Sequence, residues 1–200
     1  MPVVRERCGV PSGALTLEGE WLNRNGGGAP VVALHPHPQH GGAMDNPVID
    51  AAARALAERG HPALKVNFRG VGRSGGRWDG GAGETDDAVA AAEHARLATA
   101  QAGVVLVGYS FGAWIALEAA RRIDGVRRLI LISPPNAMFD FSALAGRADF
   151  HAVTGDRDQF CDLPALKALC GDRLAVIPGA DHFYARKLHA LAAHLASLPV

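Results

Sequence analysis

The stretch Val104–Leu117, VVLVGYSFGAWIAL, decides the fold. Val104 to Val107 is a β-branched and apolar run, the composition of a strand buried on both faces. Gly108-Tyr109-Ser110-Phe111-Gly112 follows at once, and Ala113 to Arg122 is a strong helix former with an apolar face. Strand, sharp turn and helix, with serine at the tip and glycine on either side, is the nucleophile-elbow pattern G-x-S-x-G. Geometry accounts for the residue types. So tight a turn forces Ser110 into a strained backbone conformation, and side chains at positions 108 and 112 would collide with the neighbouring strand or helix. The turn lifts the Ser110 hydroxyl clear of the sheet. It also aims the Phe111 N–H and the positive end of the helix dipole at a reacting oxygen.

Outward from this element the chain reads as an alternation. Before it, Val3 to Cys8 and Ala14 to Leu22 form an antiparallel pair of strands about a Pro11-Ser12-Gly13 turn. Ala29 to Leu34 is a short buried strand running into His35-Pro36-His37-Pro38-Gln39-His40-Gly41-Gly42. Asn46 and Pro47 are the N-cap and first residue of a helix that reaches about Glu58. Ala63 to Phe68 is a strand, and a Gly-rich loop from Arg69 to Gly83 leads to a helix capped near Thr85 and running from Asp86 to about Ala98. After the elbow come strands at Arg127–Ile132, Phe150–Thr154 and Arg173–Ile177, with helices at Leu163–Leu169 and Tyr184–Leu198. From residue 29 onward this rhythm predicts an α/β fold: one mostly parallel sheet, helices on both faces, and a single domain over residues 1–200.

Two hundred residues with 48% hydrophobic and 20% charged content can build a sizeable core. Twenty basic and twenty acidic residues cancel and are scattered, which gives no electrostatic reason for nucleic acid or an anionic membrane as partner. No apolar run approaches membrane-spanning length. The N-terminal MPVVRERCG places charges where a signal peptide has its apolar region, so a cytoplasmic location is expected. Cys8, Cys161 and Cys170 are odd in number and lack metal-ligand spacing, which predicts free thiols. Nothing in the exposed faces marks a dimer patch, and the sequence leaves the oligomeric state open.

A serine hydroxyl needs a general base, and the base needs an acid to hold its tautomer. After an elbow these follow in the order acid, then histidine, each on a loop after a strand. Of nine histidines, only His182, in Pro178-Gly179-Ala180-Asp181-His182-Phe183, lies between the last strand and the last helix. The acid belongs to Gly155-Asp156-Arg157-Asp158-Gln159-Phe160. Asp158 lies far enough into that loop to reach an imidazole, and Asp156 is the second choice, better suited to shaping the turn. An oxyanion hole needs an N–H besides that of Phe111. Pro36 and Pro38 have none, so His37 is the expected donor, with Gln39 behind it. His35 is expected to brace the loop. The prolines around His37 and the lack of a nearby carboxylate or cysteine argue against a metal among these histidines. Arg69-Gly70-Val71-Gly72-Arg73-Ser74-Gly75 contains G-x-G-x-x-G, but no helix opens at its glycines, so loop packing is expected there rather than a cofactor.

With these residues assembled, the chain resembles the α/β-hydrolase superfamily over nearly its full length. HPHPQHGGAMDNPV, NFRGVGRSGG and GETDDA are similar to a compact bacterial subgroup related to the dienelactone hydrolases. The resemblance implies the acid in a G-x-x-D pattern, matched by Gly155 to Asp158. Many relatives insert a helical lid after the strand that ends here at Ile132; about fourteen residues, Ser133 to Gly146, leave no room for a lid domain. Dienelactone hydrolases carry cysteine as nucleophile where Ser110 stands. The combined expectation is a carboxylesterase-like serine hydrolase acting on a small ester or thioester without metal or organic cofactor. Ser110, His182 and Asp158 form its triad, and Phe111 and His37 its oxyanion hole. The expected pocket walls are Tyr109, Trp78, Met138, Phe139, Phe141 and Phe183. An acyl transferase or a catalytically silent ligand-binding protein on the same fold is the alternative.

Overall fold

The computed structural model describes residues 3–200. Eight strands form one sheet in the order β1-β2-β4-β3-β5-β6-β7-β8. β1 (Arg5–Ser12) and β2 (Leu15–Leu22) are an antiparallel pair at one edge, and β2 is also antiparallel to β4 (Ala63–Val66). From β4 onward every pairing is parallel, through β3 (Val31–Leu34), β5 (Val104–Tyr109), β6 (Val126–Ile132), β7 (Phe150–Gly155) and β8 (Leu174–Ile177). β3, β4 and β5 are buried along their whole length, as strands covered on both faces must be.

Two apolar layers do the covering. Helices α1 (Pro47–Ala57) and α5 (Leu188–Ser197) pack on one face against Val31, Ala33, Val105, Val107 and Ile130. Helices α2 (Ala82–Thr99), α3 (Phe111–Ala120) and α4 (Leu163–Cys170) bury the other with Val32, Leu34, Leu106, Leu129 and Leu131. Odd and even positions of each strand therefore serve opposite cores. Asn46 caps α1 by accepting the Val48 N–H at 3.0 Å, with Pro47 at the first helical position.

Three boundaries differ by more than two residues from the sequence reading. β1 runs through Pro11 to Ser12, and the turn falls at Gly13-Ala14; an edge strand tolerates a proline whose missing N–H would have faced outward. α2 starts at Ala82 rather than near Thr85, because the buried Glu84 carboxylate accepts the N–H groups of Gly81 (2.7 Å) and Asp79 (3.0 Å) and caps the earlier turn. α5 starts at Leu188 rather than Tyr184, since Tyr184 (φ 53°) and Arg186 (φ 62°) are in the left-handed region and cannot continue a helix.

The link from β6 to β7 contains one short 3₁₀ turn, Ser142–Leu144, and no lid domain. No helix among the described residues is long and apolar enough to cross a membrane.

Candidate active site

β5 delivers Ser110 to the carboxyl edge of the sheet at φ 56° and ψ −121°, a conformation that costs a non-glycine residue roughly 1–3 kcal/mol. Packing on both sides enforces it. A Cβ on Gly108 would run into the Gly112 carbonyl, and one on Gly112 into the carbonyls of Leu34 and His35 at the end of β3. The Ser110 turn is thus wedged between its own helix and the adjacent strand. Neither flanking residue has room for a side chain.

Ser110 Oγ lies 2.9 Å from His182 Nε2. On the far side of the ring, His182 Nδ1 is 2.8 and 3.0 Å from the two Asp158 oxygens. An Nδ1–H donated to the carboxylate leaves the Nε2 lone pair facing the serine hydroxyl. Asp158 also accepts the Phe160 N–H at 3.0 Å and the Thr154 hydroxyl at 3.1 Å. Burial pushes its carboxyl pKa upward; the hydrogen bond and charge of His182, with help from Ser133 and Phe160, outweigh that and hold it below the ordinary value. Asp158 and His182 are both buried, at 8% and 4% exposure, so water competes little for these bonds.

The neighbouring carboxylates are committed elsewhere. Asp156 accepts the Gly179 N–H at 2.6 Å, tying the Asp158 loop to the His182 loop. Asp162 caps α4 through the Ala165 N–H, and Asp181 accepts the Ala185 N–H. The Tyr109 hydroxyl donates to the His182 carbonyl at 2.9 Å and fixes that loop from below. Of the remaining histidines, His94 lies in α2, His151 in β7, and His189 and His194 in α5.

The loop after β3 borders the same space. His35 is fully buried, its Nε2 accepting the Phe68 N–H at 3.0 Å and its Nδ1 2.7 Å from the Pro36 carbonyl. Burial lowers its pKa to about 4, so the ring is neutral and clamps the loop to the strand end beside it. The Gln39 N–H is spent on His37 Nδ1 at 3.2 Å, whereas the His37 N–H has no acceptor among the described residues. As the first N–H of α3, that of Phe111 has no intrahelical acceptor either. Burial, with a smaller push from His40, lowers the His37 pKa.

A cavity of about 490 Å³ opens over Ser110. Tyr109, Met138, Phe139 and Phe183 line it as expected, joined by Pro36, His40, Asn46, Pro135 and Phe160. Trp78 and Phe141 do not. The Trp78 ring packs, tilted, behind His37 (4.7 Å) and Phe111 (5.2 Å), supporting the wall from outside, and Phe141 is buried in the core with residues of α3 and α4. Phe160, missed from sequence, meets His182 edge-on at 4.7 Å; its place two residues after Asp158 was the available signal. Met138 and Phe183 stand at the mouth, 63% and 61% exposed.

Among the described residues no three His, Cys, Asp or Glu side chains converge as a metal site. The glycine-rich loop after β4 packs on β2: Glu18 accepts the Arg73 N–H at 2.9 Å, and the Ser74 hydroxyl donates to the Asn67 carbonyl at 2.7 Å.

An eight-stranded, mostly parallel sheet carrying a serine at a strained strand–helix turn defines the α/β-hydrolase class. The family described as alpha/beta hydrolase fold matches residues 34–185, and the chain belongs to it. An uncharacterised protein of Rickettsia prowazekii (strain Madrid E) is 36% identical over 189 residues, covering 86% of this chain and 79% of the relative. Two solved structures are similar throughout. An α/β serine hydrolase without lid from Xanthomonas campestris shares 31% identity at TM-score 0.85, covering 98% of this chain and 93% of the other. An alpha-beta serine hydrolase homologue from Coxiella burnetii shares 32% at TM-score 0.84, covering 96% and 95%. The chain is an α/β hydrolase of the compact, lidless kind.

Proposed function

We propose that this protein is a serine hydrolase that cleaves small carboxylic esters or thioesters through an acyl-enzyme. The observation that carries the reading is the continuous line from Ser110 Oγ to His182 Nε2 (2.9 Å) and from His182 Nδ1 to Asp158 (2.8 Å). His182 takes the Ser110 proton as Oγ attacks the carbonyl carbon, and Asp158 holds the imidazolium that forms. The negative oxygen of the tetrahedral intermediate is received by the N–H groups of Phe111 and His37, both without another acceptor among the described residues. His182 then gives its proton to the departing alcohol or thiol, and water, deprotonated by the same imidazole, releases the acid.

The cavity favours neutral substrates. None of its lining residues is Lys, Arg, Asp or Glu, and the side facing Met138, Phe139, Phe160 and Phe183 is apolar. No lid domain covers its mouth, where Met138 and Phe183 stand exposed, which suits short or slender acyl groups.

Labelling by a fluorophosphonate probe tests the reading on wild type and on Ser110→Ala, His182→Ala and Asp158→Asn. Label that vanishes with Ser110 and falls with the other two supports an activated serine. Label that survives the loss of Ser110 overturns it. A p-nitrophenyl ester series then sizes the acyl site, and products formed with added alcohols separate hydrolysis from acyl transfer.

A further inference from the structure

Two phenyl rings stand nearly perpendicular to the His182 imidazole. Phe160 is 4.7 Å from it at 79°, and Phe183 is 5.5 Å from it at 89°. Both line the cavity over Ser110. Phe183 is 61% exposed, so a large apolar ring lies open to solvent beside the imidazole, with surface left for another apolar group to cover.

Backbone bonds fix both rings to the groups behind them. The Phe160 N–H donates to Asp158 at 3.0 Å, and the Phe160 carbonyl accepts the Ala137 N–H at 3.4 Å. Phe183 follows His182, whose carbonyl accepts the Tyr109 hydroxyl at 2.9 Å. The rings therefore keep their places relative to the imidazole itself. The wall after β3 is different in kind: Pro36, His40, Gly41, Gly42 and Asn46 bring no large apolar side chain to the cavity.

The serine-hydrolase reading above, on which this inference rests, gives each substituent of a reacting carbonyl a direction. Its oxygen turns toward the Phe111 and His37 N–H groups. The oxygen that departs must come within hydrogen-bond reach of His182 Nε2, because it takes its proton there. The alcohol part of the ester begins at that oxygen, so its next atoms run along the Phe160 and Phe183 rings. The acyl substituent takes the remaining direction, away from His182.

We propose that Phe160 and Phe183 form a leaving-group subsite, and that the substrate is an ester joining a small acyl group to a neutral alcohol that carries an aromatic ring. Ring-on-ring contact recognises the alcohol, and the absence of Lys, Arg, Asp and Glu from the cavity lining leaves nothing there to pair with a charged one. The bond from Ser110 Oγ to the carbonyl carbon forms as the bond from that carbon to the alcohol oxygen breaks. The alcohol oxygen leaves with the proton from His182, and water then restores Ser110 and releases the carboxylic acid.

The experiment uses benzyl acetate and methyl phenylacetate, isomers that place the same phenyl ring on opposite sides of the ester. Benzyl alcohol and methanol are similarly acidic, so the ease of departure does not set the ratio of the two rates. Wild type should favour benzyl acetate by about tenfold in kcat/KM. Phe183→Ala and Phe160→Leu should each lower that ratio several-fold, with thermal unfolding to show that they are folded. A second readout needs no variant. During p-nitrophenyl acetate turnover, benzyl alcohol enters by the path along which it leaves, and should capture more of the acetyl group than methanol at equal concentration. A wild-type ratio at or below one overturns the proposal, as does a ratio unchanged in the folded variants or acetyl capture no better by benzyl alcohol than by methanol. If Phe160→Leu does not fold, the exposed Phe183 carries the variant test. Turnover that survives in Ser110→Ala overturns the serine reading and this inference with it; an inactive Ser110→Ala beside a wild-type ratio at or below one overturns this inference alone.

Discussion

Replacing His37 with proline isolates a single N–H. His37 sits at φ −54° and ψ 121°, inside the range that a proline ring imposes, about −65 ± 15°, and suited to a residue preceding Pro38. Its carbonyl accepts the His40 and Gly42 N–H groups at 3.1 and 3.0 Å, and proline keeps that carbonyl. The His37 N–H has no acceptor in the fold among the described residues, so no backbone hydrogen bond is lost with it. The imidazole is lost, together with its packing on Phe111 at 5.0 Å and Trp78 at 4.7 Å. His37→Ala loses the same packing and retains the N–H, which makes it the reference. On the proposed mechanism the difference between the two variants is one oxyanion donor, worth about 3 kcal/mol, or a factor on the order of 10² in kcat. The assay is p-nitrophenyl acetate turnover, with thermal unfolding to show that both variants are folded. Equal kcat values in folded Ala and Pro variants would refute the oxyanion assignment.

Three further outcomes follow from particular residues. His35 is neutral in the fold with its pKa lowered to about 4, against about 6.5 in the unfolded chain. Its contribution to stability is therefore intact above pH 6.5 and falls as pH drops toward 4, by up to about 3 kcal/mol, with no further loss below; urea unfolding should show this component in wild type and not in His35→Gln. Lys65 is buried between Glu20 and Asp50, 2.7 Å from each, so Lys65→Met leaves the buried Glu20 and the half-buried Asp50 short of a partner and should cost about 3 kcal/mol in chemical denaturation. A cost well under 1 kcal/mol there would show that the remaining arginines suffice, Arg5 on both carboxylates, Arg7 on Glu20 and Arg54 on Asp50. Phe183→Ala at the cavity mouth should raise KM for aromatic esters several-fold, roughly 1 kcal/mol of apolar contact, and leave methyl esters unaffected; an equal loss for both would place Phe183 away from the bound substrate.

Much of the fold was legible because its signals are local. The elbow is written in consecutive residues: a buried strand, two positions without room for a side chain, and a helix former. The α1 cap, Asn46 with Pro47, is equally local and stands as the sequence indicates. Errors fell where a buried polar partner overrides local propensity. Tyr184 reads as helical, yet its hydroxyl is engaged with Ser133 and its backbone turns left-handed. The α2 boundary moved because the buried Glu84 caps an earlier turn than the nearby Thr85 suggested.

The sequence by itself determined the order of strands and helices, the strained turn at Ser110, and the loops from which a base and an acid could come, since each depends on neighbours along the chain. Only the tertiary structure decided which side chains share a space. It brings Ser110, His182 and Asp158 within hydrogen-bonding distance and commits Asp156 to the Gly179 N–H. It sets Phe160 on the cavity wall and Trp78 behind it, and joins Ser133 to Tyr184 across 51 residues. Those outcomes depend on how loops from five strand ends pack at one edge of the sheet, where nearness in space has no counterpart in sequence spacing.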